Sequence, residues 1–261
     1  MKTTHFVLLV TLIGITTSCT MGTTAPRELS QQEQVIQYLQ NVKKQQYRQP
    51  NEIQKKEFVE KYEKDFFHLL DSMKLLTDWN GWIKDISQKE VGNTINLNFR
   101  IDIPIEREHG ELTLFCQHLF DKSKKDSDKI YQQVYAMSNG QYVTFDGFAR
   151  TMKDESLDWR TINSLKISYP EIGFWVTDIV SGGAKDTISA DLKKACMLVF
   201  DSVELIEQSD SKQISKSEYK KQSDKLKQES DAVRELLTDE EKDYLLTLTN
   251  AAFYNYSYKN E

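Results

Sequence analysis

A strict alternation of apolar and polar residues from Ile95 to Ile103 constrains this chain more than any other stretch. Every odd-numbered position there is Ile, Leu or Phe, and every even-numbered position is Asn, Arg or Asp. Successive side chains of a β-strand point to opposite faces, so the pattern predicts a strand with one buried and one wet side. We therefore expect a sheet at the centre of the chain.

Four further segments are typical of strands, and one is typical of a helix. The strands are expected at residues 79–86, 111–117, 141–150 and 171–179, and the helix at 128–137. The order is therefore three strands, a short helix and two strands, which is the connectivity of an OB-fold, a five-stranded Greek-key barrel. An SH3-like barrel would lack the helix, and a sandwich would need about seven strands.

Helical segments flank the predicted barrel on both sides. Ser30 with Glu33, and Thr238 with Glu241, have the spacing of capping boxes that begin helices. Apolar residues recur at steps of three and four after each flank begins. We therefore expect an α+β protein with an N-terminal helical segment, an OB-like barrel and a C-terminal helical segment. Their expected bounds are residues 30–78, 79–180 and 185–261.

The first 18 residues are typical of an export signal. Lys2 supplies a positive start, residues 6–15 form an apolar run, and small residues lead to Cys19. An apolar run of this length is too short for a membrane-spanning helix, which needs about 20 residues. We expect residues 1–18 to be removed as a signal peptide.

Cys19 directly follows the small residues and resembles the modified cysteine of a bacterial lipobox. The resemblance implies that Cys19 is diacylated and anchors the protein in a membrane, with residues 19–29 as a flexible tether. Because Thr20 rather than Asp follows, it implies the outer membrane, with the protein facing the periplasm. The alternatives are an ordinary cleaved signal with an incidental cysteine, and an uncleaved anchor helix.

The two remaining cysteines leave the redox chemistry open. An oxidising compartment permits a disulfide between Cys116 and Cys196. Cys116 lies in an alternating run and Cys196 in an apolar helix-like run, so both also fit buried free thiols.

Charge and motifs argue against several functions. The net charge of −6 opposes a nucleic-acid partner. The sequence has no Gly-x-Ser-x-Gly elbow, no complete set of Ser-x-x-Lys and its companion motifs, and no Cys-x-x-Cys motif. His109 and His118 would lie about 30 Å apart along a strand, too far for one metal ion. We expect no enzymatic activity, no cofactor and no metal site.

Three short motifs carry a resemblance to a known family. They are an opening Trp-x-Gly-x-Ile, a Gly-x-x-Val-x-Phe-x-Gly strand and a closing Pro-Glu-x-x-Phe. Their members are Trp79, Gly81, Ile83, Gly140, Val143, Phe145, Gly147, Pro170, Glu171 and Phe174. Residues 79–179 thereby resemble uncharacterised bacterial OB-fold lipoproteins, whose barrel is described as tRNA-anticodon-like. The resemblance implies the OB-like barrel and identifies no active site.

An OB-fold binds ligands on the exposed side of its second and third strands and on two loops. Here the loops are expected at residues 87–92 and 151–169. The second loop carries the candidate ligand-binding residues Lys153, Trp159, Arg160 and Lys166. Basic residues beside a Trp can hold a single strand or a sugar. Alternatively, Trp159 only fixes its own loop to the barrel.

These observations lead to one principal hypothesis and two others. We expect a non-enzymatic, lipid-anchored envelope protein that binds another protein or an envelope component. The second hypothesis is an oligosaccharide- or oligonucleotide-binding module that uses Trp159, Arg160 and Lys166. The third, a hydrolase of envelope polymers, has the least support in the sequence.

Overall fold

The computed structural model describes residues 28–49, 51–105, 110–152, 156–161, 166–183, 185 and 187–260. Within these ranges the chain is a mixed α+β protein, with five strands that close into a ring and six α-helices. Cys19 and the expected signal peptide lie outside the described residues, as does Lys153.

Two helices precede the sheet. Helix α1 spans Gln31–Gln46 and begins at the predicted capping box, in which Ser30 and Glu33 each accept a hydrogen bond from the other's backbone amide. Helix α2 spans Glu52–Met73 and buries one apolar stripe that includes Tyr62 and Phe66. Together they form an N-terminal layer that packs against the ring.

The predicted order of strands and helix is confirmed. The strands are β1 (Leu76–Val91), β2 (Thr94–Pro104), β3 (Glu111–Asp121), β4 (Gln141–Ala149) and β5 (Glu171–Ser181). A short 3₁₀ turn and helix α3 (Lys129–Tyr135) connect β3 to β4. The strands neighbour one another in the order β1–β2–β3–β5–β4, and β4 pairs with β1 to close the ring. The β3–β5 pair is parallel and the other pairs are antiparallel.

The alternation in β2 separates the inside of the ring from its outside. Its apolar residues are each 3% exposed or less and belong to one core cluster with the inward residues of the other strands. Side chains of α2 and α3, including Phe66 and Val134, complete that cluster. The outward residues Asn96, Asn98 and Arg100 remain half-buried.

One loop prediction was wrong. Residues 87–91 were expected in a loop, but they continue β1 and pair with β2 as far as Val91 opposite Thr94. The turn is limited to Gly92 and Asn93, and Gly92 adopts a φ of +60° that favours glycine. The strand was hidden because its last residues are exposed on both faces and therefore show no apolar alternation.

Three helices follow the ring. They are α4 (Ala190–Asp210), α5 (Lys216–Arg234) and α6 (Asp239–Asn260), and the last begins at the predicted Thr238–Glu241 capping box. Helices α4 and α6 lie over the outer side of β4 and β5. Phe148 and Trp175 are buried there against Ala251 and Ala252 of α6. The C-terminal helices thus cover the outer sides of β4 and β5 around Phe148 and Trp175.

Both described cysteines are buried free thiols. Cys116 lies inside the ring on β3, and Cys196 lies on α4 in the cluster between the C-terminal helices. Burial raises the pKa of both thiols. Of the two alternatives left open by the sequence, the structure has the free thiols.

Candidate functional site

A groove of about 490 Å³ lies on the outer side of β2 and β3. Side chains from β1, β2, β3, the segment after β4 and the end of α6 line it. Its most prominent members are Arg100, Arg150, Arg160, Phe115, Gln117 and Tyr258. We call this the arginine groove.

The register between β2 and β3 determines which side chains form the floor of the groove. Arg100 on β2 lies opposite Phe115 on β3, and Asn98 lies opposite Gln117. All four point outward, because the residues between them face the core. The alternation that builds the core therefore also places two polar amides, one arginine and one aromatic ring side by side on the surface.

A bulge in β1 forms one wall. The register of β1 against β2 shifts between Lys84 and Ser87, and Asp85 in the bulge has a φ of +53°. Asp85 Oδ2 lies 3.0 Å from Arg100 Nε. The bulge turns the Asp85 carboxylate towards Arg100 and so holds the arginine in the groove.

The opposite wall is a compact cluster around Asp158. Arg150 Nη1 donates to Gln117 Oε1 at 2.7 Å, and Arg150 Nε lies 3.0 Å from Asp158 Oδ2. Arg160 Nη2 donates to the same Asp158 oxygen at 2.8 Å. Two guanidinium groups therefore share one carboxylate oxygen, which leaves excess positive charge on this wall.

Glycine makes this cluster possible. A Cβ atom at Gly173 on β5 would lie 2.4 Å from Asp158 Oδ2 and 2.5 Å from Arg150 Nε. The bare backbone of Gly173 thus provides the space for the ion pair.

Aromatic rings on both sides hold Arg150 in place. Its guanidinium carbon lies 5.2 Å from the centre of the Trp175 ring and 5.3 Å from that of Tyr258. Burial lowers the pKa of Arg150, while Asp158 opposes this effect. An arginine stays protonated under such conditions. Arg150 is therefore a fixed cation, whereas Arg160, with 41% of its side chain exposed, faces the solvent.

The electrostatic balance of the wider face is close to neutral. Buried Asp102 accepts a hydrogen bond from the Thr113 hydroxyl at 2.9 Å and lies 2.6 Å from Lys84 Nζ. Counting both walls, the face has four cations and three carboxylates: Lys84, Arg100, Arg150 and Arg160 against Asp85, Asp102 and Asp158. Such a face fits a ligand with one anionic group better than a polyanion.

The candidate residues predicted from the sequence lie in two different places in the structure. Trp159 packs against α2, with its ring centre 5.8 Å from Tyr62 and 5.9 Å from Phe66. Lys166 Nζ lies 5.0 Å from the Trp159 ring and 2.9 Å from Glu63 Oε1, and Lys166 is buried. These two residues fix their loop beneath α2. Of the described candidates, Arg160 lines the groove.

Sequence reasoning predicted the strands that form the groove but missed several of its side chains. Phe115 could have been found, because the alternation of Leu114 and Cys116 with their neighbours leaves it as an outward apolar residue. The approach of Tyr258 to Arg150 joins positions more than a hundred residues apart, and nothing local indicates it.

Groups of metal ligands and membrane-spanning helices are both absent from the part of the chain that the structure describes. There, no three His, Cys, Asp or Glu side chains come together as metal ligands. No helix in it combines the length and the apolar character needed to span a membrane.

Comparison with models of known protein families and with curated proteins found no match for this chain.

Proposed function

We propose that this chain is a non-enzymatic, lipid-anchored protein of the bacterial cell envelope, which binds a partner through the arginine groove of an OB-type barrel. The strand order of the ring and the position of α3 between β3 and β4 support the OB-type assignment. The motif at Cys19 supports the anchor, its attachment to the outer membrane and a periplasmic orientation.

The observation that carries the binding role is the cluster around Asp158. Three arginines converge on one groove, and Arg150 is held by a carboxylate, an amide and two aromatic rings. A guanidinium binds a carboxylate or phosphate through paired hydrogen bonds. Preorganised donors of this kind lower the entropy cost of binding.

The arginines and amides of the groove support binding rather than catalysis. Its arginines stay protonated at neutral pH, and the amides of Asn98 and Gln117 do not titrate. Such groups orient a ligand but do not exchange protons with it. The proposed occupant is an extended segment of a partner protein that carries an acidic side chain.

An acidic oligosaccharide is the second candidate. Phe115 and Tyr258 in the groove provide apolar surfaces that can pack against a sugar ring. The hypothesis of a clamp made by Trp159, Arg160 and Lys166 has weaker support, since α2 and Glu63 occupy the Trp159 and Lys166 side chains.

The anchor is tested by intact mass and membrane fractionation of the wild type and the Cys19→Ala variant, both expressed in a bacterium. We expect a diacylated, membrane-bound wild type and a soluble variant. An unlipidated, soluble wild type would contradict the anchor and leave the groove to be tested as part of a secreted protein.

The groove is tested by photo-crosslinking in intact cells. A photoreactive residue at exposed Ser87, which lines the groove, should give a discrete protein adduct. The same residue at Gln228, exposed on α5, is the matched control and should give none. Equal labelling at the two positions would contradict a groove-specific protein partner. A glycan adduct at Ser87 would favour the second candidate instead.

A further inference from the structure

An exposed aromatic pair lies on the outer side of the ring, next to the arginine groove. Trp82 on β1 is 40% exposed and Tyr142 on β4 is 41% exposed. The two residues are register partners, and their rings meet edge to face with centres 5.2 Å apart. Two large aromatic side chains are thus in contact with each other on the solvent-exposed surface, and neither of them lines the arginine groove.

The start of α1 is fastened close to this pair. The Gln32 side-chain amide donates to the Asn80 carbonyl at 2.8 Å and accepts from the Asn80 backbone amide at 2.9 Å. Asn80 lies opposite Thr144, one outward position before the Trp82–Tyr142 pair. Two residues of a strand span about 7 Å. The chain therefore enters the folded body beside the aromatic pair.

This entry point limits how far the pair can lie from the membrane. Twelve residue steps separate Cys19 from Gln31, the first residue of α1. A fully extended chain of that length spans at most about 40 Å. If Cys19 carries the lipid, the side of the ring that holds Trp82 and Tyr142 is the side tethered to the bilayer.

The surroundings of the pair suit an uncharged or zwitterionic surface. Its polar neighbours on the same face include the amide of Asn80, and the charge of nearby Lys84 is balanced by Asp102. Trp and Tyr prefer the headgroup region of a membrane, where the ring is in an apolar layer and the polar atom stays hydrated.

From these observations we infer that Trp82 and Tyr142 dock the ring onto the lipid surface in which Cys19 is anchored. The inference rests on the proposed lipid anchor. Docking sets the orientation of the body on the membrane and places the arginine groove beside the lipid surface. The contact is apolar and interfacial, so it does not depend on salt.

The test uses the full lipidated protein in phosphatidylcholine vesicles whose acyl chains carry bromine near the headgroup. Bromine quenches tryptophan at short range. Trp79 and Trp175 are buried in the protein, and Trp159 is packed under α2, so Trp82 is the tryptophan expected to respond. We expect partial quenching at low and high salt, and its loss in Trp82→Phe.

A matched pair of variants separates docking from a general effect of removing a tyrosine. Tyr142→Ala should reduce the quenching at least twofold. Tyr135→Ala, which removes a 74% exposed ring on α3, should leave it unchanged.

The results that would contradict the inference can be told apart from one another. Lipidated protein that sediments with the vesicles while Trp82 stays unquenched would overturn the docking and leave the anchor intact. Protein without lipid by intact mass would refute the anchor and this inference together. A change in Trp82 emission with a soluble oligosaccharide, but not with brominated lipid, would overturn the inference and make the pair a sugar platform.

Discussion

The outer side of the ring has two parts that differ in how far their charged side chains are exposed to solvent. The covered face comprises the parts of β4 and β5 that lie beneath α4 and α6, and the open face comprises β1, β2 and β3. On the covered face Asp146 is fully buried, and Lys185 keeps only 8% of its side chain exposed. On the open face Arg100 and Lys84 retain 33% and 41% exposure. The outer side of the sheet thus carries enclosed charges beneath the helices and half-exposed cations at Arg100 and Lys84.

The enclosed charges fasten the C-terminal helices to the sheet. Lys185 contacts Asp146 and lies 2.9 Å from Asp178 Oδ2. The Tyr244 hydroxyl of α6 donates to Asp146 at 3.0 Å and accepts from the Thr177 hydroxyl at 3.1 Å. Lys185, Asp146 and Tyr244 thereby hold one another in place. The position of the flanking helices, rather than the presence of charge, therefore decides how far the charged side chains of the sheet are exposed.

The largest expected effect comes from breaking the enclosed cluster. Lys185→Met would leave Asp146 and Asp178 without their shared cation. Burial already raises the pKa of Asp146 even though Lys185 opposes it. Removing one member of a buried ion pair costs about 3–5 kcal/mol. Urea unfolding should show a loss of this size.

The matched control on the open face is Lys84→Met, which breaks the pair with Asp102 at a half-exposed lysine. We expect it to cost less than Lys185→Met. Equal losses at the two lysines would abolish the distinction between the faces.

The next largest loss of stability is expected at Gly173, where the covered and open faces meet. Gly173→Ala should push Asp158 and Arg150 apart, because the new Cβ would overlap both side chains. Overpacking of this kind costs about 1–3 kcal/mol. The melting temperature should fall and the arginine groove should be disturbed.

Gly183→Ala provides the control for this substitution. The nearest atom to a Cβ at Gly183 is 3.9 Å away, on Tyr142. Its stability should therefore match that of the wild type. A neutral Gly173→Ala would show that the Asp158 cluster tolerates a side chain at this position.

The third effect is the pH dependence of the stability that the mostly buried carboxylate of Asp128 contributes. Asp128 caps α3 and contacts the His118 ring at 2.8 Å. Burial would raise its pKa, but His118 and the backbone amides at the start of α3 outweigh burial and hold it below 3.8. Its contribution is therefore complete above pH 3.8 and is lost as the pH falls through the lowered pKa.

The variant for this test is Asp128→Asn, which keeps the cap acceptor and removes the charge. We expect about 1–2 kcal/mol less stability than the wild type at neutral pH, because a charge-assisted hydrogen bond is weakened. The difference should shrink as the pH falls below 3.8. A difference that stays constant down to strongly acidic pH would contradict this role of the carboxylate.

The smallest effect on stability is expected on the open face. Asp85→Asn preserves a residue type that tolerates the positive φ of the bulge and removes the charge facing Arg100. Exposed ion pairs contribute about 0–1 kcal/mol, so chemical unfolding should show at most a change of that size. A larger loss would mean that the open face also holds the fold together.

The sequence predicted local structure well and distant contacts poorly. The alternation in β2 and the two capping boxes are local patterns, so the strand and both helix starts could be read directly. The parallel β3–β5 pairing could not be read from any one segment. Trp159 stood out in the sequence as a basic-flanked aromatic, yet its environment is set by Tyr62 and Phe66, almost a hundred residues earlier.

The most direct test of the account is the crosslinking yield at Ser87 in a variant that lacks two groove arginines. In Arg100→Ala/Arg160→Ala, the proposed partner would lose charge-assisted hydrogen bonds worth at least about 1.5 kcal/mol each. We predict an adduct yield at least about tenfold lower, with a melting temperature close to that of the wild type. An undiminished adduct at Ser87 would contradict the claim that the arginines of the open face bind the partner.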